Sequence, residues 1–370
     1  MKLNKINVTT KDGKYRVYIG NNIIRNLNKI FKREKILFNK VLFVLDNKVP
    51  SKNSHEVIKN IKCRDKIFYK IVANEKNKNL NNVEKIIEIL LENNFSRSDC
   101  LVGIGGGIIG DLSCFAASIY KRGIKFINIP TTLLAQVDAS IGGKSGVNHL
   151  KFGKNLIGSF YQPKIVITDT SFLNSLNKRE ILCGYAEILK HTLIRDLKGF
   201  NFLNNFSKEI LSLKEPYITN AIINSCKIKK KVVEEDEIEK KLRKILNLGH
   251  TFGHAFESAI GLNKNLNHGE GVLLGIKCAI KFSLKKKYLS YKSFNLIMGH
   301  FEKLKFNLKL NNFFKLKDVR KIVKFMINDK KNSNDDINLV LLKNLGQPII
   351  NKKFNINQIE IFLRKELNNI

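Results

Sequence analysis

The chain has 370 residues, 43% of them hydrophobic, enough to bury the cores of two domains of about 150 residues each. No apolar run reaches the roughly 18 residues of a spanning helix, and Met1-Lys2-Leu3-Asn4-Lys5 lacks a signal-peptide pattern, so a cytoplasmic protein with no membrane partner is expected. A net charge of +34 invites a nucleic-acid-binding reading, but the lysines are scattered among Asn and Ile along the whole chain and no nucleic-acid module accompanies them, so no dedicated nucleic-acid partner is expected.

In chain order, Val41-Leu42-Phe43-Val44-Leu45-Asp46 is a short apolar run ending in an acid. The segment 82–94 has helical periodicity, with Val83, Ile86, Ile87 and Leu90 on one face. Cys100-Leu101-Val102-Gly103-Ile104 is a strand closed by glycines, Lys125-Phe126-Ile127-Asn128-Ile129 is another stopped by Pro130, and a third covers 164–169. Strands alternating with helical patterns predict an α/β nucleotide-binding domain with a mainly parallel sheet over residues 1–178. Beyond Leu176-Asn177-Lys178 the strand signal fades, and helical patterns at 181–193, 218–234, 253–260, 272–282, 319–327 and 356–367 predict an all-helical second domain, 179–370. The six cysteines, Cys63, Cys100, Cys114, Cys183, Cys226 and Cys278, form no CxxC pair, which argues for a reduced protein without a cysteine metal site.

Three segments carry chemistry. Gly105-Gly106-Gly107-Ile108-Ile109-Gly110-Asp111 follows a strand and opens a helix, the context in which glycines admit a pyrophosphate to a helix N-terminus. No acid stands about 20 residues downstream to hold a ribose; the strand-end acid is upstream, at Asp46. The stretch 129–144, with Thr131, Thr132, Asp138, Gly142, Gly143 and Lys144, continues to Lys154 and Asn155 and suits an anionic ligand, although lysine is too common here to argue alone. In the helical half, His250-Thr251-Phe252-Gly253-His254 places two imidazoles on one helix face, with His268 in Asn267-His268-Gly269-Glu270 and Glu187 in Gly184-Tyr185-Ala186-Glu187. A His/His/Glu set with an open position is a usual catalytic zinc arrangement. Thr251 stands where a zincin would have its glutamate, and the bland reading of Glu187 with Lys190 is a solvated helical ion pair.

Taken together, GGGIIGDLSCFAASIYKRGIKFINIPTTLLAQVDASIGGKSGVN, GKNLIGSFYQPKIVITD, CGYAEILKH, LRKILNLGHTFGHAFE and NHGEGV, in this order, resemble the 3-dehydroquinate synthase family. The resemblance implies an N-terminal domain that binds NAD and a C-terminal domain that holds one divalent metal, zinc or cobalt. It points to Glu187, His250 and His268 as metal ligands and moves His254 to the substrate, beside Lys190 and Asp138 as catalytic groups. Arg122, Lys144, Asn155, Lys229, Arg243, Asn247 and Lys330 would bind substrate, Arg122 in the neighbouring subunit of a homodimer. For NAD it implies Asp46, the loop Ala73-Asn74-Glu75-Lys76-Asn77-Lys78, the turn Gly107-Ile108-Ile109-Gly110-Asp111, then Thr131, Thr132, Lys144 and Lys154, and lastly Phe172-Leu173-Asn174-Ser175.

The implied substrate is a sugar-acid phosphate, 3-deoxy-D-arabino-heptulosonate 7-phosphate, cyclised to 3-dehydroquinate with loss of phosphate in the shikimate pathway of aromatic amino-acid biosynthesis. The loop after Asn148 and the loop before His268 are each one residue longer than the family's, and Asn74 replaces its glycine, a swap that left-handed backbone angles at Asn would tolerate. A cyclase making an inosose or valiolone and a metal-dependent polyol dehydrogenase are the rival readings within this scaffold.

Overall fold

The computed structural model describes residues 3–11, 13–149, 151–261, 266–304, 309–327 and 336–368. In chain order the elements are β1 (Asn4–Thr10), β2 (Gly13–Gly20), α1 (Leu27–Arg33), β3 (Lys40–Asp46), α2 (Ser51–Lys59), β4 (Asp65–Ile71), α3 (Leu80–Glu92), β5 (Cys100–Gly105), α4 (Gly107–Ile119), β6 (Lys125–Pro130), β7 (Lys144–His149), β8 (Gly153–Phe160) and β9 (Ile165–Asp169). They continue with α5 (Lys178–Arg195), α6 (Leu197–Leu211), α7 (Tyr217–Glu235), α8 (His250–Ile260), α9 (His268–Lys285), α10 (Tyr291–Lys303), α11 (Val319–Ile327), β10 (Asp336–Asn344), β11 (Gln347–Asn355) and α12 (Ile356–Asn368). The chain forms two compact units, residues 1–184 with 215–238 and residues 185–214 with 239–370.

The first unit is built on a seven-stranded sheet in the order β1-β2-β9-β6-β5-β3-β4, parallel except for the β1–β2 pair. Its central strands read as unbroken apolar runs because both faces are covered. Val41, Phe43 and Leu45 of β3 pack into one core with Ile24, Leu27 and Val57, while Leu42 and Val44 pack into the other with Val83, Ile86 and Leu112. Chain direction across the sheet reverses between β3 and β5: β3 is followed outward by β4, and the chain then returns to β5 on β3's other side. Ligands of such sheets bind outside the carboxyl ends of the strands at this reversal. A two-stranded hairpin, β7–β8, and helix α7 also belong to this unit.

The second unit is rich in helices but is not all-helical, which corrects the expectation for residues 179–370. Strands β10 and β11 form an antiparallel hairpin, with Asn344 paired to Gln347 across Leu345-Gly346. Gly346 turns the chain at φ +76°, an angle glycine adopts without steric cost. Ile337, Leu339 and Leu341 alternate inward, a period of two hidden beside the lysine-rich sequence around it. The aromatic core runs through Phe252, Phe256, Phe282, Phe314, Phe354 and Phe362, with ring centroids 4.9–6.2 Å apart. Among the described residues no helix is long and apolar enough to cross a membrane.

Candidate active site

In the first unit, Asp46 and the glycine turn are 59 positions apart in sequence but neighbours in space, since β3 and β5 are paired with Leu45 opposite Ile104. A Cβ on Gly105 would stand 3.1 Å from the Asp46 Cβ. The Asp46 carboxylate accepts the Lys48 and Ala73 amides at 3.0 and 3.4 Å, tying the strand end to the loop after β4. Asn74 does not take left-handed angles; its side chain accepts the Asn77 amide at 2.9 Å and so caps that loop. Glu75 and Asn148 are hydrogen-bonded at 2.7 Å, and the Lys154 ammonium lies 4.0 Å from Glu75.

Gly107 is the first residue of α4, and a Cβ there would meet one atom, the Ala139 Cβ at 3.4 Å. Packing therefore leaves the approach to this helix N-terminus open, whereas Gly103, whose Cβ would lie 3.0 Å from the Ser113 Oγ, is glycine to let α4 rest on β5. Ile109 and Gly110 continue the turn, Ile109 buried; Ile108 is half-buried. Asp111 pairs with the buried Lys78 ammonium, which also donates to Asn155 Oδ1 at 2.5 Å. Burial pushes the Asp111 carboxyl pKa up and Lys78 opposes the shift.

Thr131 is buried and its amide donates to the Gly105 carbonyl at 2.9 Å; Thr132 Oγ1 accepts the Ala135 amide at 3.2 Å. Asp138 lies on the π-turn 135–139 that follows and pairs with Lys229 of α7 at 2.8 Å. Phe172 and Leu173 are core side chains, while Asn174 and Ser175 are exposed. Lys144 is exposed at the start of β7. Arg122 is exposed at φ 64°, directly after Lys121 at φ 47°, two consecutive left-handed non-glycine residues.

In the second unit, α8 and α9 cross on glycines. A Cβ on Gly275 would lie 2.0 Å from the Gly249 carbonyl oxygen, and one on Gly253 would lie 2.9 Å from the Gly271 carbonyl oxygen. This close approach sets His250 and His254 of α8 against His268, the first residue of α9, with ring centroids 5.3–6.0 Å apart. Asn267 and Glu270 fix where α9 begins: Asn267 Oδ1 accepts the Glu270 amide and Glu270 Oε2 accepts the Asn267 amide, both at 2.9 Å. The pattern Asn-His-Gly-Glu thus contains its own helix start, a signal legible in sequence that the reading above passed over.

Ligand atoms of Glu187, His250 and His268 all lie within 4.8 Å of one another. His250 Nε2 and His268 Nε2 are 3.5 and 3.9 Å from the same Glu187 oxygen. Both Glu187 oxygens are buried without a hydrogen bond, though the Lys190 ammonium pairs with the carboxylate. With side-chain exposures of 1% and 2%, this is a desolvated pair and not a solvated helical one. Burial, then Lys190, His254 and His268, depress the His250 pKa well below its ordinary value, which keeps the ring neutral and able to donate a lone pair. Burial also lowers that of His268, but the Glu257 hydrogen bond and the Glu257 and Glu187 charges outweigh it and the net shift is upward. His254 is exposed. Arg243 is buried on the turn 242–247, and Asn247 donates to Glu239 at 2.8 Å. Lys330 lies outside the described residues.

Sequence could not rank the lysines; burial does. Of the lysines and arginines among the described residues, those buried are Lys78, Lys190, Lys229 and Arg243. Each is a position that the family resemblance implicates. Glu257, hydrogen-bonded to His268 Nδ1 at 2.9 Å, was missed.

Residues 68–183 match the family model of the 3-dehydroquinate synthase N-terminal region, and residues 184–332 match that of its C-terminal region. A 3-dehydroquinate synthase of Pelagibacter ubique (strain HTCC1062) is 53% identical over 367 residues, covering 99% of this chain and all of the relative. One from Campylobacter concisus (strain 13826) is 39% identical over 350 residues, 95% of either chain. Among solved structures, a 2-deoxy-scyllo-inosose synthase complexed with carbaglucose-6-phosphate, NAD+ and Co2+ matches with TM-score 0.86 at 25% identity, covering 98% of this chain and 100% of that one. The fold is that of the sugar-phosphate cyclases. Within that class, two consecutive family models and full-length identity of 53% show that the chain belongs to the 3-dehydroquinate synthase family. The family's reaction forms 3-dehydroquinate, a step of the shikimate pathway.

Proposed function

We propose that the chain cyclises 3-deoxy-D-arabino-heptulosonate 7-phosphate to 3-dehydroquinate with release of phosphate, as a carbon–oxygen lyase of the cytoplasm that uses NAD and one zinc or cobalt ion. The observation that carries this reading is that Lys78, Lys190, Lys229 and Arg243 are the lysines and arginines buried among the described residues, each at a position the family resemblance implicates. Burying a cation is costly unless a partner or ligand compensates it. Within the protein Asp111, Glu187 and Asp138 compensate Lys78, Lys190 and Lys229, and a substrate with a carboxylate and a phosphate would add anionic partners for such cations.

The residues present fit both implied groups. Glu187 offers a buried carboxylate whose charge partner within the protein is Lys190, and two imidazoles face it through Nε2, a donor set suited to zinc or cobalt. Bare Gly107 at the start of α4, with Thr131 and Thr132 on the next loop, fits the pyrophosphate of NAD, and Asp46 at the strand reversal fits a ribose. The related inosose synthase, complexed with NAD+ and Co2+, supports the same pair of groups here. When bound, the metal supplies Lewis-acid polarisation of substrate oxygens and NAD supplies a reversible hydride acceptor.

Arg122, Lys144, Asn155, Lys190, Lys229, Arg243 and Asn247, and Lys330 with them, are the residues this reading assigns to binding and orienting the anionic substrate. Asp138 holds Lys229 in place through its 2.8 Å ion pair. His254, exposed beside the half-buried His250, serves proton transfer near the leaving phosphate. A homodimer is part of the proposal: Arg122 would serve the neighbouring subunit. An exposed apolar strip of Leu80, Leu91 and Ile119, 44%, 55% and 46% exposed, near Arg122 in sequence at Ile119, supports it.

The test is purified protein with NAD, zinc or cobalt, and the heptulosonate phosphate. Phosphate and 3-dehydroquinate should appear over many turnovers per NAD, without stoichiometric NADH absorbance. NADH accumulating one-to-one with product would move the chain to the dehydrogenases, and an inosose product from a carboxylate-free sugar phosphate would move it to the other cyclases.

A further inference from the structure

Glu257 lies on α8, half-buried with its side chain 13% exposed, and its Oε1 is 2.9 Å from His268 Nδ1. A carboxylate accepts hydrogen bonds and, when ionised, donates none, so the proton of this contact sits on His268 Nδ1. In the neutral ring the other nitrogen, Nε2, then carries the lone pair, and it is the one 3.9 Å from Glu187. His250 follows the same pattern by a different route: its Nδ1 faces the Leu248 carbonyl at 3.3 Å, leaving Nε2 toward Glu187 at 3.5 Å.

We propose that Glu257 is the positioning residue of the metal site, holding His268 in the tautomer that presents Nε2 to a divalent cation. The proposal rests on the metal reading of Glu187, His250 and His268. One further observation supports it, and one alternative has to be met. Gly271 of α9 makes room for the Glu257 side chain, since a Cβ there would stand 3.2 Å from its Cγ and 3.4 Å from its Oε1. And His254, Glu257 and His268 form a second set of donors within 4.8 Å. With the proton on Nδ1, His268 has Nε2 as its ligand atom, and that nitrogen lies 3.9 Å from Glu187 of the first set. Carboxylates behind a metal-bound imidazole raise its basicity and fix its orientation, and their loss weakens metal binding about 10–100-fold.

The experiment measures Zn2+ and Co2+ affinity by chelator competition for the full chain and for E257A and E257Q, with 15N-histidine NMR of the metal-free proteins. E257A should bind both ions about 10–100-fold more weakly, and its His268 should lose the Nδ1–H tautomer. E257Q keeps an acceptor oxygen for Nδ1–H and should recover most of the affinity and the tautomer. A folded E257A with unchanged affinity and tautomer overturns the proposal. So does complete metal loss in E257A while H250A keeps its metal, because Glu257 would then be a ligand of the second set. If E187A and H250A both retain full affinity while E257A does not, the metal reading itself has failed and takes the positioning role with it.

Discussion

Replacing Lys190 by Met removes the ammonium beside Glu187 while keeping an unbranched side chain of similar length. The two groups are 2% and 1% exposed, so neither can recover its hydration when the other is removed. Breaking a buried pair costs about 3–5 kcal/mol, and the His250 and His268 rings that stay 3.5 and 3.9 Å from the carboxylate favour the low end, about 3 kcal/mol. For a unit of roughly 150–250 residues, each kcal/mol moves the melting temperature by about 2–4 °C. In chelator, Lys190→Met should therefore melt about 6–12 °C below the parent. Adding Zn2+ or Co2+ should close most of that gap, because the cation replaces the missing charge on Glu187 and no ammonium competes with it. Turnover should stay low even with metal, since the substrate loses a buried cationic partner. The assay is scanning calorimetry with and without metal, beside phosphate release. Equal melting of the two proteins in chelator, or a gap that metal leaves untouched, would refute the account of Lys190 as the counter-charge of a metal ligand.

His250→Ala should lose metal and activity together, whereas His254→Ala should keep near-stoichiometric metal and lose about a hundredfold or more in turnover; metal content of the two folded variants decides it. Gly107→Val, placed where one atom lies within reach of a new Cβ, should fold and lose NAD affinity in a direct titration; unchanged affinity would refute the pyrophosphate assignment. Burial followed by Lys303 lowers the His300 pKa to about 4, and its ring is held by the Tyr185 hydroxyl at 2.9 Å. The unfolded chain, with a histidine near 6.5, then binds more protons between these values, so this contribution to stability is complete above pH 6.5 and is lost as pH falls toward 4. The loss from pH 7 to 4.5 should be about 2 kcal/mol, and denaturant titrations of His300→Phe should show that much less acid sensitivity than the parent.

Local chemistry was legible wherever one element holds it. The glycine turn of 105–111 follows a strand and opens a helix because both signals are adjacent in the chain, and the apolar runs of β3, β5, β6 and β9 announce strands buried on both faces. The spacing of His250 and His254 correctly put two imidazoles on one helix face, and the order of the motifs made the family readable. Spacing could not say which imidazole joins Glu187. That depends on where α5 brings Glu187, 3.5 Å from His250 Nε2, while His268 joins them because α9 crosses α8 at Gly249, Gly253, Gly271 and Gly275, contacts that no local period encodes. The β10–β11 hairpin escaped notice because its inward alternation is short and charged residues surround it. The helix α7 reads from sequence as part of the helical half, yet it packs with the first unit, where Lys229 meets Asp138. Asp46 reaches the glycine turn through the parallel pairing of β3 with β5, and four cations among many equivalent lysines and arginines are distinguished by burial alone. Residue type and period are properties of the chain, whereas desolvation and proximity between distant segments exist once long-range packing has excluded water.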